Sequence, residues 1–168
     1  MTRVVRSPIP QPSFLSRYEN DANYVDCYSA SLPFVVTHEH FVRAFYTTRL
    51  FKLERLILHW RARKRSSDAD VMRLAMGEAD AFAGWQVEAR AWDELLLCDF
   101  LGNTRSWLKT ESTQEGTRLY FGSAVLARAR DENDGPVLDS RFRALLGFHQ
   151  RYSVALLRAA VRRLTALR

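Results

Sequence analysis

The sequence predicts an α+β domain in which an antiparallel sheet packs against a long C-terminal helix. Three observations lead to this fold class. An alternating stretch is followed by stretches with helical spacing, four further strand-like stretches are joined by short turns, and a final helical stretch has one apolar stripe. About 28 residues in that last helix would give it a length of roughly 40 Å, enough to cross the sheet.

The first part of the domain is predicted to be one strand followed by helices. Alternation in residues 24–32 predicts the strand, and Pro33 ends it. Thr37 can cap the next helix through its hydroxyl group. Thr47 and Thr48 are expected to interrupt that helix, because β-branched residues form helices poorly and Thr48 can cap the chain again.

Two more helices are expected before the spacing of the apolar residues changes from that of a helix to that of a strand. Residues 50–63 have apolar side chains on one helical face. Ser67 is expected to cap a third helix over about residues 68–83, because Asp68 and Asp70 suit its positive first turn. We therefore expect two or three helices to be inserted after the first strand.

An antiparallel meander and the C-terminal helix complete the domain. Short turns separate its four predicted strands, which are residues 85–92, 95–100, 104–112 and 117–130. The apolar run in residues 95–100 suggests a strand covered on both faces. After a polar loop, Asp139 or Ser140 is expected to cap a helix that continues to the C-terminus. Its apolar stripe consists of Phe142, Leu145, Leu146, Tyr152, Leu156, Ala160, Leu164 and Leu167.

Residues 1–21 are interpreted as an extended N-terminal arm, and residues 22–168 as a single domain. Pro8, Pro10 and Pro12 lack amide donors and favour extended backbone, so the arm is expected to be either loose or laid across the domain. A chain of 168 residues has the usual size of one domain.

Composition places the chain among ordinary globular proteins. Hydrophobic residues make up 47% and charged residues 26%, which argues against a disordered or collagen-like chain. No apolar run reaches the ~18 residues of a membrane-spanning helix, and the N-terminus has no apolar region of a secretory signal. Two cysteines, Cys27 and Cys98, cannot form a disulfide framework, so a cytoplasmic location is expected.

Positive charge is concentrated in two stretches of the chain, whose formal net charge is +6. Residues 49–65 carry seven basic residues and one acid, and residues 139–168 carry seven arginines and one acid. The remaining residues are acidic overall. Solvated helix faces account for this pattern, and an anionic partner such as a nucleic acid, a membrane surface or a phosphate or carboxylate ligand is the alternative.

The order of the elements resembles the helix-grip fold of the START-like, or SRPBCC, superfamily. Three phrases, GNTRSWL (102–108), TRLYFGSAV (117–125) and FHQRYSVALL (148–157), are similar to those of an uncharacterised bacterial family of this shape. The resemblance covers about residues 22–165. It implies a sheet curved around the C-terminal helix, with a hydrophobic cavity between them for a small apolar or amphipathic ligand. It carries over no catalytic residues and no cofactor.

Three side chains are candidates for catalysis. His149 and Tyr152 share one face of the C-terminal helix with Ser153, so His149 is an acid/base candidate if this face roofs a cavity. The alternative is a core histidine bonded to a backbone carbonyl group. Asp99 interrupts an apolar strand, where a buried carboxylate needs a partner unless it reaches water at the strand end.

Arg105 is expected across a hairpin from Asp99. It either forms a structural pair with Asp99 or faces the cavity and binds a ligand carboxylate through its planar guanidinium group. Trp107 shares the strand face of Arg105, and strand aromatics line either a core or a pocket. Gly122 marks a bulge, a bend or a place where a ligand approaches the backbone. The candidate ligand-binding residues are Arg105, Trp107, Phe121, Ser123, His149, Tyr152 and Ser153.

No metal site or cofactor is predicted. His38 and His40 lie two positions apart, which places them on nearly opposite faces of a helix. The sequence contains no nucleophile elbow, P-loop or dinucleotide fingerprint.

Three functions remain as hypotheses. The leading one is the binding of a hydrophobic or amphipathic small molecule in a cavity between the sheet and the C-terminal helix. The second is a cyclase- or dehydratase-type enzyme in the same cavity, with His149 as the acid/base group and Asp99 or Tyr152 assisting. The third is binding of a nucleic acid or anionic surface through residues 49–65 and 139–168. The sequence does not indicate an oligomeric state.

Overall fold

The computed structural model describes residues 2–20, 23–52, 66–126 and 140–166, the last range without the side chains of 140–146. Within these residues one antiparallel sheet has the strand order β1-β2-β7-β6-β5-β4-β3. Its strands are β1 (Val5–Arg6), β2 (Tyr24–Leu32), β3 (Ala81–Phe82), β4 (Trp85–Arg90), β5 (Glu94–Asp99), β6 (Thr104–Thr113) and β7 (Gly116–Val125). The helices are α1 (His38–Tyr46), α2 (Asp68–Ala75), α3 (Ser140–Ala166) and the 3-10 turn Leu15–Tyr18.

The predicted α+β class, with an antiparallel sheet and a long C-terminal helix, is confirmed. The strand expected first is β2, and β7 returns to pair with it along its whole length. The short strands β1 and β3 were not predicted, because two residues are too few to show an alternating pattern. Residues 49–52 are helical, and the rest of the helix predicted over residues 50–63 lies outside the described residues.

Hydroxyl caps begin the helices where the sequence predicts them. Thr37 Oγ1 accepts from the backbone N–H of His40 at 3.2 Å, and Thr48 Oγ1 accepts from that of Phe51 at 3.2 Å. Ser67 and Asp70 form a capping box at the start of α2. These contacts satisfy backbone donors that the first turn of a helix leaves unpaired.

Helix α2 is shorter than the predicted helix over residues 68–83. It ends at Ala75, and Gly77 follows with a φ of +79°, a left-handed conformation that glycine adopts without steric cost. Arg90 then fixes this end, because its guanidinium group donates to the carbonyl oxygens of Leu74 and Ala79 at 3.0 and 2.8 Å. The glycine was a C-terminal signal that the prediction did not use.

The sheet separates two apolar layers. The inner face of β5 presents Leu95 and Leu97 to the main core, which α1 and α3 cover, whereas Leu96 lies in a second cluster on the outer face. Leu15 of the 3-10 turn is fully buried in that second cluster. The N-terminal arm was expected to be either loose or laid across the domain. In the structure it lies across the domain.

His38, the first residue of α1, is expected to make stability depend on pH. Burial lowers the pKa of its imidazole from 6.5 to about 4. Between these two values the unfolded chain binds a proton that the folded chain does not, so stability rises with pH by up to roughly 1.4 kcal/mol per unit. Urea unfolding from pH 4 to 7 should show a flatter dependence for His38→Gln than for His40→Gln, its exposed control. Equal slopes for the two variants would contradict this assignment.

Candidate functional site

A cavity of about 560 Å³ lies between the inner face of the sheet, the end of α1 and the helix α3. Most of its surface is apolar and aromatic, and the exposed ring of Phe148, which stacks on Tyr152, stands at its edge. The described residues that line the cavity are Phe45, Leu50, Phe51, Trp85, Asp99, Thr104, Arg105, Ser106, Phe121, Ser123, Phe148, His149, Tyr152, Ser153 and Leu156.

A band of polar side chains crosses the sheet beside this apolar surface. Ser106 pairs with Ser123 across β6 and β7, and Ser123 pairs with Asp26 across β7 and β2. Because directly paired residues point to the same face, the three side chains lie side by side. Tyr46 of α1 reaches the band, with its hydroxyl 2.9 Å from Ser106 Oγ.

Ser123 joins the helix α3 to a buried carboxylate. Its Oγ lies 2.6 Å from Asp26 Oδ1 and 2.6 Å from His149 Nε2. Because an ionised carboxylate only accepts, the single hydroxyl proton of Ser123 goes to Asp26, and His149 Nε2 donates to the serine oxygen. Asp26 is 2% exposed, and its Oδ2 lies 4.0 Å from His149 Nε2.

This arrangement differs from that of a serine hydrolase. In a hydrolase the histidine accepts the serine proton, and the aspartate binds the other ring nitrogen. Here Asp26 accepts the hydrogen bond from the Ser123 hydroxyl group, and His149 Nε2 donates to the Ser123 oxygen. The geometry therefore holds His149 against the sheet, and Asp26 lies near the ring nitrogen that contacts Ser123, not near the other one as in a hydrolase.

Tyr24 extends the polar cluster towards the start of β2. Its hydroxyl donates to Asp26 Oδ2 at 3.2 Å and accepts from Gln150 Nε2 at 3.0 Å. Burial, followed by the negative charge of Asp26, raises the pKa of Tyr24 above its usual value, so the group remains a donor at neutral pH. The ring of Tyr24 also meets His149 edge-on, at 6.0 Å between centroids.

Most of the residues predicted to form the site lie around this cavity. The candidates Asp99, Phe121, Ser123, His149, Tyr152 and Ser153 all line it. His149 is not bonded to a backbone carbonyl through Nε2, as the core alternative supposed, but to Ser123. Asp99 Oδ1 accepts from the backbone N–H groups of Asn103 and Thr104 at 2.8 and 3.1 Å, so one of its oxygens caps the β5–β6 turn.

The prediction that Trp107 lines the cavity is wrong. Its indole ring is fully buried on the outer face of the sheet, 6.2 Å from the ring of Tyr120. Its Nε1 donates to Glu94 Oε1 at 2.6 Å. Trp107 does share a face with Arg105, as expected, but that face is the one covered by the N-terminal segment.

The proposed roles of Arg105 are also wrong. Its Nε lies 2.6 Å from Glu88 Oε2 and 3.1 Å from the hydroxyl of Tyr18, and its Nη1 donates to the carbonyl of Gly102 at 2.8 Å. Arg105 borders the cavity, but its guanidinium group lies over the Tyr18 ring on the outer face. It therefore neither pairs with Asp99 nor points at a ligand carboxylate.

Asp26 is the buried carboxylate of the polar cluster, and the sequence did not single it out. It alternates along β2 with Tyr28 and Ala30, which pack in the main core. A carboxylate on the apolar face of a strand was the available signal, because burying it requires bonded partners. Trp85 also lines the cavity and was not among the predicted site residues.

Two lining residues carry buried polar atoms without partners. Among the described residues, Ser153 Oγ and Trp85 Nε1 make no hydrogen bond, and the two side chains are 1% and 7% exposed. An unpaired buried donor typically costs about 1–3 kcal/mol, so such atoms in a cavity wall are candidates for bonds to a ligand.

A metal site and a membrane-spanning helix are both missing from the described part of the chain. The described residues contain no group of three or more His, Cys, Asp or Glu that could hold a metal ion. No helix among them is long and apolar enough to span a membrane. Comparison of the chain with protein-family models, curated proteins and solved structures finds no match.

Proposed function

We propose that this protein binds a hydrophobic or amphipathic small molecule in the cavity between the sheet and α3. The observation that carries the proposal is a cavity of about 560 Å³ whose apolar wall includes the buried, unpartnered hydroxyl of Ser153. Small-molecule sites in proteins typically have volumes of about 300–1,000 Å³, mostly apolar walls and a few polar groups.

The walls indicate how such a ligand would lie. Its apolar part would pack on Phe45, Phe121 and Leu156, and its polar end would meet Ser153 and the His149–Ser123 pair. Asp99 lines the cavity, and Asp26 lies behind Ser123. Because two carboxylates repel an anion, a neutral or donor head group fits this end better than a carboxylate.

The order of elements supports membership of the helix-grip, START-like superfamily as part of this proposal. Helices α1 and α2 follow β2, β7 pairs with β2, and α3 contacts both of these strands. In that fold a sheet curves around the last helix and leaves a ligand space beneath it. The same superfamily includes enzymes, but the bond from His149 to Ser123 favours a binding role over acid/base chemistry here.

Ser153→Leu is expected to block the cavity without harming the fold. The leucine side chain would occupy cavity space, remove an unpartnered hydroxyl and favour the helix slightly. Titration with the neutral fluorescent probe N-phenyl-1-naphthylamine should therefore show binding to the wild type that weakens at least about tenfold in the variant. Thermal unfolding should occur at an equal or higher temperature.

Ala155→Leu is the matched control, because residue 155 lies on the exposed face of the same helix. This variant should bind the probe as the wild type does. Equal affinity in Ser153→Leu and the wild type would place the probe elsewhere and contradict the proposal.

A further inference from the structure

The end of the molecule opposite the Ser123–His149 cluster carries a concentrated positive surface. Two grooves flank the loop formed by residues 33–36, one of about 830 Å³ and one of about 350 Å³. The larger is lined in part by Arg3, Arg158 and Arg162, and the smaller by Arg43 and Arg163. We call these five arginines with the 33–36 loop the basic end.

Within the described residues, the five arginines have no ion-pair partner in the two grooves. Neither groove has an Asp or Glu among its described lining residues. None of the five arginines forms an ion pair within the described ranges, although Arg163 Nη1 donates to the carbonyl of Thr47 at 3.2 Å. Elsewhere in the sheet, by contrast, Arg105 and Lys109 are paired with carboxylates.

An apolar tip stands between the two arginine groups. Val35 is 85% exposed, and the partly buried Phe34 borders both grooves. The floor of the larger groove is apolar, since it includes the buried side chains of Val4, Leu32 and Val161. An exposed valine surrounded by arginines presents apolar and cationic contacts to the same partner.

We propose that the basic end docks on the surface of an anionic lipid bilayer. The arginines would contact phosphate and carboxylate groups of the lipid heads, and Val35 would enter the interface between head groups and acyl chains. A nucleic acid also attracts arginines, but its phosphate backbone offers no apolar layer for Val35. The observations therefore favour the bilayer.

This surface is separate from the proposed ligand cavity. Strand β2 begins at Tyr24, beside His149, and ends at Leu32, beside the larger groove. Nine residues of strand extend over roughly 30 Å. Vesicle binding and cavity binding can therefore fail independently of each other.

The test is sedimentation of the full chain with vesicles at fixed, moderate salt. Wild-type protein should bind vesicles of equal parts phosphatidylglycerol and phosphatidylcholine, and should not bind vesicles of phosphatidylcholine alone. Arg158→Glu/Arg162→Glu should weaken binding at least about 30-fold, because each basic residue at an anionic surface contributes a factor of about five. Val35→Asp should weaken it about tenfold.

Arg73→Glu/Arg151→Glu is the matched control, since it changes the net charge equally at two exposed positions outside the basic end. This double variant should weaken binding to the anionic vesicles by less than about fivefold. Absence of binding to the anionic vesicles, or equal losses in the two double variants, would overturn the proposal. So would tighter binding to double-stranded DNA that is unaffected by Val35→Asp. Circular dichroism checks that each variant is folded.

Discussion

Glu94→Ala is expected to lower the free energy of unfolding by about 3–5 kcal/mol. Glu94 is 5% exposed and ties the N-terminal segment to the sheet. Its Oε1 accepts from Trp107 Nε1 at 2.6 Å and from the backbone N–H of Phe14, and its Oε2 lies 3.6 Å from Lys109 Nζ. Alanine would leave two donors without their acceptor and remove one of the partners of Lys109.

Urea unfolding measures this loss. Glu111→Ala is the control, because Glu111 also bonds an aromatic side chain, at 2.7 Å from the Tyr120 hydroxyl, but is about half exposed. Its expected cost is about 1 kcal/mol or less. A Glu94→Ala cost below about 1 kcal/mol would mean that water replaces the carboxylate, and the account of the outer face would be wrong.

Gly122→Ala is expected to lower the free energy of unfolding by about 3 kcal/mol, because the outer face has no room for a β-carbon at this position. A Cβ placed there would lie 2.4 Å from Leu15 Cδ2, 2.8 Å from the carbonyl oxygen of Asp26 and 3.0 Å from Trp107 Cε3. Leu15 can move, but the paired backbone of β2 cannot. The atoms that approach this glycine are those of Leu15, Asp26 and Trp107, and not those of a ligand as the sequence analysis considered.

A second substitution separates this clash from a general glycine effect. Leu15→Ala should recover part of the stability lost in Gly122→Ala, since it removes the nearest of the three atoms. Gly147→Ala is the opposite control: a Cβ there meets nothing within 4 Å, so better helix propensity should stabilise the protein by about 1 kcal/mol. Additive losses in Leu15→Ala/Gly122→Ala would contradict the packing argument.

The sequence predicts which residues of a strand lie on the same face, but not which face of the sheet carries the site. Hydrophobic alternation fixes which residues of a strand share a face, so Arg105 and Trp107 were correctly placed together. It does not fix which face meets the helix when both faces are covered. The outer face is covered here by Leu15 and its neighbours, in a segment whose prolines indicated only extended backbone.

Asp99 and Arg105 do not form the expected pair, because the register of β5 and β6 differs by one residue from the predicted register. In the structure Cys98, not Asp99, is opposite Arg105. Asp99 therefore faces the inner side and Arg105 the outer side, where Glu88 is its partner. The loop between the strands sets this register, and a turn of uncertain length in the sequence cannot define it.

The contact between Ser123 and His149 could not be predicted from the sequence alone. His149, Tyr152 and Ser153 share a face because helical spacing is regular, and that part of the site followed from the sequence. How α3 is placed over β7 depends on side-chain packing between distant segments. The bond from His149 to Ser123, with Asp26 behind it, is a result of that packing.

Native mass spectrometry of the freshly purified protein tests the central claim, that the cavity holds a small molecule. For the wild type we predict a bound apolar or amphipathic molecule at one copy per chain, released on denaturation. The Ser153→Leu variant should carry none, and Ala155→Leu should carry the same molecule as the wild type. An equal bound mass in all three proteins, or a wild type that carries nothing and takes up no added decanol, would contradict the claim.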